Sequence, residues 1–307
     1  MDDAAQRHGA DDQAHRGRVL SAVVVIGSTG QLGSDCVEAF AAERVVGLAH
    51  EDLDIGDREA VRATLGRLEP RVVVNTAAYH NVPKCETNET EAFALNAIAP
   101  RHLARICREL GARLVHVSTD YVFDGAKRAP YVETDCPRPL NVYGISKLAG
   151  EYAVLADGGD HQVVRSSGLY GVRPCRAKGG NFIDTMYKVA AEKPEVRVVD
   201  DEVLTPTFTA DLAAQIRVLA LEGPPGLYHA TNQDSCSWYE FARMIFDLGG
   251  IATPLHASSV TEMNPPVKRP FYSVLENAAL KAAGLDRMRD WRAALTDYMA
   301  RRAAAAR

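Results

Sequence analysis

The chain has 307 residues, with 35 basic against 40 acidic side chains, a formal charge of −5, 47% hydrophobic and 24% charged residues. This is ordinary globular usage that excludes a disordered chain, and the mildly acidic balance argues against nucleic acid or an anionic membrane surface as partner. Arginine supplies 27 of the basic residues, so a single arginine is weak evidence for a phosphate site.

No apolar run approaches the roughly 20 residues that span a bilayer, and Met1 to His8 lacks the apolar core of a signal peptide. Residues 1–18 are polar and aperiodic and read as a mobile tail. Cys36, Cys85, Cys107, Cys136, Cys175 and Cys236 are scattered, with no Cys-x-x-Cys pair. Reduced thiols in a cytoplasmic protein are expected, and no metal-ligand cluster is identified.

Val19 to Ile26 is a short apolar run ending in glycine, as a strand buried on both faces should look. A helix is expected over Ser34–Ala42, a strand over Arg44–Leu48, a helix over Asp57–Leu68 and a strand over Val72–Val74. A long helix over Ala92–Leu110 and a strand over Arg113–Val117 follow. Leu140–Leu155 reads as a helix and His161–Val164 as a strand. This alternation predicts an α/β fold with a Rossmann-type doubly wound parallel sheet. Beyond residue 170 the rhythm is irregular: helices are expected at 181–192, 209–222, 238–248 and 288–302, with a short strand at Val196–Val199. The simplest division has residues 19–170 plus about 196–232 as a dinucleotide-binding domain. About 171–195 plus 233–307 would form a smaller substrate domain at the carboxyl ends of the strands.

Gly27-Ser28-Thr29-Gly30-Gln31-Leu32-Gly33 lies between the first strand and helix. Glycines at this spacing allow a tight turn and the approach of a pyrophosphate to a helix N-terminus. The second strand should end near Leu48, where an NAD enzyme often carries an acid on the ribose. Ala49 and His50 stand there instead, with Glu51 and Asp52 just beyond, which leaves room for a 2′-phosphate without demanding one. Asn75-Thr76-Ala77-Ala78 closes the third strand with small residues, and Ser118-Thr119-Asp120-Tyr121 brings hydroxyls to the end of the fourth. Tyr143 and Lys147 are four residues apart, on one helix face. A neighbouring ammonium is expected to lower the phenol pKa toward working pH, suiting it to proton transfer in a carbonyl–alcohol conversion.

The set resembles the extended short-chain dehydrogenase/reductase superfamily, and within it the dTDP-4-dehydrorhamnose reductase family, over about Val23 to Trp291. The most specific stretches are Val117-Ser118-Thr119-Asp120-Tyr121-Val122-Phe123-Asp124-Gly125, Pro130-Tyr131-Val132-Glu133 and Asn141 to Glu151. Gly30 to Gly33, Leu53-Asp54-Ile55, Asn75 to Tyr79, Asn181-Phe182, Thr205-Pro206-Thr207 and Arg269-Pro270 also fit. The resemblance implies reduction of a nucleotide-linked 4-keto-6-deoxy sugar, dTDP-4-dehydro-L-rhamnose, with NADPH as cofactor and NADH also compatible. It implies a catalytic set of Thr119, Tyr143 and Lys147. Cofactor contacts would come from Gly27, Gly30, Gln31, Leu32, Gly33, Asp54, Ile55, Ala77, Ala78 and Tyr79, together with Tyr143 and Lys147. Substrate contacts would come from Thr119, Asp120, Tyr121, Phe123, Asn181 and Arg269.

Two departures touch substrate recognition. Gly168 stands where the family usually carries Trp, which would widen the sugar pocket, and His80 to Glu86 differs from the family's Val-Asp-x-Ala-Glu type. Other readings stay open: a sugar-nucleotide epimerase or dehydratase, although Tyr121 replaces the acid typical of dehydratases, or a non-catalytic regulatory subunit like the methionine adenosyltransferase β subunit. A homodimer is left open.

Overall fold

The computed structural model describes residues 22–173 and 179–305. The expected tail at 1–18, residues 19–21 of the first expected strand, and Cys175 lie outside the described residues.

The valine-rich runs form β1 (Val23–Ile26), β2 (Val45–Leu48), β3 (Val72–Asn75), β4 (Arg113–Thr119) and β5 (His161–Ser166). With an edge strand, Gly226–His229, they make a parallel six-stranded sheet. Its order is edge strand, β5, β4, β3, β1, β2. Successive side chains of a strand face opposite ways, so Val23, Val25, Val72 and Val74 enter one apolar core while Val24, Ile26 and Val73 enter the other. Both faces are therefore covered, as a parallel sheet requires. The chain is an α/β protein with a doubly wound sheet. Its order reverses between β1 and β3, which places a crevice beyond their carboxyl ends.

Among the described residues the first nine α-helices are α1 (Gln31–Ala39), α2 (Arg58–Leu68), α3 (Val82–Thr87), α4 (Glu89–Phe93), α5 (Ala99–Glu109), α6 (Val142–Leu155), α7 (Phe182–Glu192), α8 (Thr209–Glu222) and α9 (Trp238–Gly249), and three more follow at Val260–Met263, Ala278–Ala282 and Trp291–Ala305. Helices α1 and α8 cover one face, and α2 and α5 the other. A third apolar cluster joins α7 and α9 with Val196, Val198 and Trp291, while Leu280 and Met288 pack on the sheet core.

Two expectations are revised. The single helix over 92–110 is interrupted by a wide π turn, Ala94–Ile98, between α4 and α5. Its residue Asn96 is fully buried and faces α6. Helix α3 and the edge strand were not anticipated. The first is a single short helix begun by the Asn81 side chain accepting the Lys84 N–H at 3.2 Å, and the second ends in the polar residues Tyr228 and His229.

Candidate active site

The turn between β1 and α1 is built around backbone that nothing larger than glycine would fit. A Cβ on Gly33 would lie 2.0 Å from the Gly27 carbonyl oxygen. Gly27 has φ +83° and sits against Thr76 and the Ala77 amide, so the turn also touches the end of β3. Gly30 caps α1 without a side-chain hydrogen bond, and no acid occupies the helix's first turn. Amide donors and the positive end of the helix dipole thus face the crevice at the switch point, which suits a pyrophosphate. Leu32 is buried in the core, and the Gln31 amide donates to the Gly171 carbonyl at 3.2 Å.

At the end of β2, His50 is exposed, while the Asp52 carboxylate turns back to accept the Ala49 N–H at 2.9 Å. Asp54 accepts the Gly56 N–H at 2.8 Å, and Ile55 is buried among Leu48 and Leu53. Ala77, Ala78 and Tyr79 follow β3 along the crevice wall. Asn96 clasps Tyr79 through both its backbone N–H (2.8 Å) and its carbonyl (2.9 Å).

Helix α6 carries Tyr143 and Lys147, and its Gly144 and Gly150 allow close contact with neighbouring backbone. A Cβ on Gly144 would meet the Tyr121 carbonyl oxygen at 2.2 Å, and one on Gly150 would meet the Asn96 carbonyl oxygen at 2.1 Å. Asn141 caps the helix by accepting the Gly144 N–H at 2.9 Å, and Glu86 of α3 accepts the Val142 N–H at 2.8 Å. The stretch His80 to Glu86, which departs from the family pattern, therefore keeps a structural tie to α6.

The structure brings Thr119, Tyr143, Asp120 and Tyr121 together at the end of β4. The Thr119 hydroxyl lies near enough to the Tyr143 phenol to act on it. Thr119 also donates to Asp120 Oδ1 at 3.0 Å and accepts the Tyr121 N–H at 3.2 Å. Tyr121 packs edge-on against Tyr143, ring centroids 5.7 Å apart. Desolvation raises the Tyr143 phenol above its ordinary pKa. The expected lowering by Lys147 is thus corrected: the Lys147 ammonium is turned away, donating to the Val117 carbonyl at 2.7 Å beside His116. Burial brings Lys147 down to about 8. A phenol that keeps its proton at neutral pH is equipped to donate it.

Beneath this cluster, Glu151 binds Arg165 at 2.6 Å and accepts the Ser118 hydroxyl at 2.5 Å, all three buried. Each charge has its partner and further hydrogen bonds, the condition for tolerating such burial.

The remaining residues expected at the substrate divide. Arg269 reaches the site: its charge is felt by Tyr121 and Glu202, and its buried Nε has no hydrogen-bond partner among the described residues. Phe123 does not line the site. It is fully buried, stacked on Tyr131 at 4.1 Å with the Arg165 guanidinium 5.1 Å from its ring, because the short 3-10 turn at Asp120–Val122 directs it inward. Asn181 is occupied with structure, capping α7 through its oxygen and donating to the Gly171 carbonyl at 3.0 Å. Gly168 is not an emptied aromatic niche: it has φ +56°, and a Cβ there would lie 2.7 Å from Leu204 Cδ1. Sequence reasoning missed Asn96, His116 and Glu202. The available signal was a polar residue inside an apolar run, clearest for His116 between Val115 and Val117.

A family model described as the RmlD substrate binding domain matches residues 21–304. The chain is 42% identical over 288 residues to the dTDP-4-dehydrorhamnose reductase of Streptomyces griseus, covering 89% of this chain and 91% of that one. It is 38% identical over 288 residues to the spore coat polysaccharide biosynthesis protein SpsK of Bacillus subtilis, covering 93% and 99%. The crystal structure of dTDP-4-dehydrorhamnose reductase from Bacillus anthracis str. Ames in complex with NADP matches with a TM-score of 0.86 and 33% identity, over 92% of this chain and 99% of that one. A crevice with a glycine turn on one side and a paired threonine and tyrosine on the other is thus carried by a chain that belongs to the dTDP-4-dehydrorhamnose reductase family.

Proposed function

We propose that the protein is an NADPH-dependent reductase that converts dTDP-4-dehydro-L-rhamnose, a nucleotide-linked 4-keto-6-deoxy sugar, to dTDP-L-rhamnose. The observation that carries this reading is the gathering of Thr119 and Tyr143 at the end of β4, on the same crevice as the Gly27–Gly33 turn. NADPH supplies the hydride when bound. The residues fit it: the turn has room for a pyrophosphate, and the position just after β2 is held by Ala49 and His50 rather than by an acid.

Gly27, Gly30, Gln31, Leu32 and Gly33 form the pyrophosphate cradle. Ala77, Ala78 and Tyr79 line the path toward the nicotinamide, and Asp54 with Ile55 borders the adenine. Thr119 turns its hydroxyl from Asp120 to the keto oxygen, and Tyr143 gives that oxygen its proton. Lys147 orients the nicotinamide ribose. Arg269 holds the diphosphate with its guanidinium fork, a role supported by its unpartnered Nε. The sugar-binding lobe is drawn from about 171–195 plus 233–307, a division supported in part by the third apolar cluster, which joins α7, α9 and Trp291 but also takes in Tyr170, Val196, Val198 and Phe208.

The working location is the cytoplasm, supported by the buried free thiols Cys36, Cys107 and Cys236. No helix among the described residues is long and apolar enough to cross a membrane. The working form is a homodimer, for which the exposed Ile145, Tyr152 and Leu155 on one face of α6 supply an apolar surface.

The test is NADPH absorbance across a panel of 4-keto nucleotide sugars, with products identified by mass spectrometry. Consumption with dTDP-4-dehydro-L-rhamnose supports the reading. No consumption by folded protein that binds NADPH favours a regulatory subunit.

A further inference from the structure

The floor of the site contains a chain of hydrogen bonds whose directions can be assigned one by one. Asn75, at the end of β3, accepts the Ala77 N–H through Oδ1 at 3.2 Å, which fixes the orientation of its amide. Its Nδ2 then faces His116 Nδ1 at 3.1 Å. An amide nitrogen only donates, so Nδ1 must carry a lone pair and the neutral ring keeps its proton on Nε2. Nε2 in turn faces Lys147 Nζ at 3.4 Å, and Nζ donates to the Val117 carbonyl at 2.7 Å. Asn75, His116 and Lys147 are at most 2% exposed, so the chain itself must satisfy these contacts. An Nε2–H confronts an ammonium donor to donor, whereas it can donate to the lone pair of an amine.

We propose that His116 is a positioning residue which, oriented by Asn75, presents Nε2–H to Lys147 and favours the neutral amine of that lysine over its ammonium.

The other groups around Lys147 leave His116 this role. Glu151, one turn further along α6, favours the ammonium, but its carboxylate is bound by Arg165 from β5 and Ser118 from β4. Tyr143 lies one turn earlier on α6. Cys85 of α3 and Asp120 and Tyr121 of the 3-10 turn act on Tyr143, while Asn96 of the π turn is neutral. Burial works in the same direction as His116, holding Lys147 near 8 and His116 well below the ordinary histidine value. The consequence for turnover rests on the reductase reading: a step that needs the ammonium beside the nicotinamide ribose fails as pH rises through the Lys147 titration.

The NMR tests need no substrate. Nitrogen-15 NMR of histidine-labelled protein should show His116 as the Nε2–H tautomer at pH 7, its signal assigned by loss in His116→Gln. Carbon-13 NMR should follow Lys147 among the eight lysines, assigned by loss in Lys147→Arg. In His116→Gln, whose carbonyl can accept from the ammonium, the Lys147 titration should rise by roughly one pH unit, and the alkaline limb of kcat should move with it. An Nδ1–H tautomer in the unaltered protein, or an unmoved Lys147 titration in a folded variant that binds NADPH, overturns the proposal. A chain that reduces no 4-keto sugar yet gives the expected NMR results would overturn the reductase reading alone.

Discussion

Replacing Gly168 separates two accounts of the sugar pocket. If the glycine were a missing aromatic wall, Gly168→Trp would rebuild the wall and shift selectivity toward the rhamnose precursor. The geometry predicts otherwise. At φ +56° a side chain costs about 1–2 kcal/mol in backbone conformation alone. A Cβ would also sit 2.7 Å from Leu204 Cδ1 and 3.1 Å from Pro206 Cα, well inside ordinary contact, and overpacking of that kind costs about 1–3 kcal/mol. Together these reach about 2–5 kcal/mol, a large part of the roughly 5–15 kcal/mol that holds a domain folded. Gly168→Ala carries both penalties without the ring, so its thermal midpoint should fall by about 4 °C or more. Gly168→Trp should fall further, with no gain in selectivity. A Trp variant that melts with the wild type and prefers a different sugar would refute this reasoning.

Tyr143→Phe should lower kcat by about 10²–10⁴-fold, the usual loss on removing a positioned acid, with NADPH affinity by fluorescence titration nearly unchanged. A wild-type rate would remove Tyr143 from the chemistry. Arg269→Ala should weaken binding of the nucleotide sugar by about tenfold or more, as loss of a charge-assisted contact does, while leaving NADPH binding intact. Equal losses for both ligands would contradict the diphosphate assignment. His229 is held neutral, near pKa 3, by burial and by Arg165. Its folded pKa lies below the unfolded value of about 6.5, so its stabilising effect is lost as pH falls below the unfolded value, by about 1.4 kcal/mol per pH unit until pH nears 3. Denaturant melts between pH 6.5 and 4.5 should therefore show a shallower decline for His229→Gln than for wild type, and parallel curves would contradict the neutral assignment.

The placement of Tyr143, Lys147 and the glycine turn was legible because its signals are local. The spacing of Tyr143 and Lys147 puts them on one turn of α6, and the glycines of the β1–α1 turn follow a strand directly. What could not be read depends on what a residue meets across the fold. Phe123 sits in a stretch rich in site residues, yet the turn before it sends its ring under Tyr131. Asn181 has the right chemistry for a sugar but begins α7. The tyrosine pKa was misjudged because i to i+4 spacing fixes a face of the helix and not the direction of an ammonium, and Lys147 points to the Val117 carbonyl. Asn96 and His116 gain their roles only once the π turn and β4 are packed against α6 and β3.

Transfer of deuterium tests the central claim most directly. NADPH labelled at its transferable position should be consumed with dTDP-4-dehydro-L-rhamnose, and one deuterium should appear at C4 of the dTDP-L-rhamnose formed, as mass spectrometry and NMR would read it. Product carrying no deuterium at C4, or a sugar altered at C5 or C6 without net loss of NADPH, would contradict the account and point to an epimerase or dehydratase.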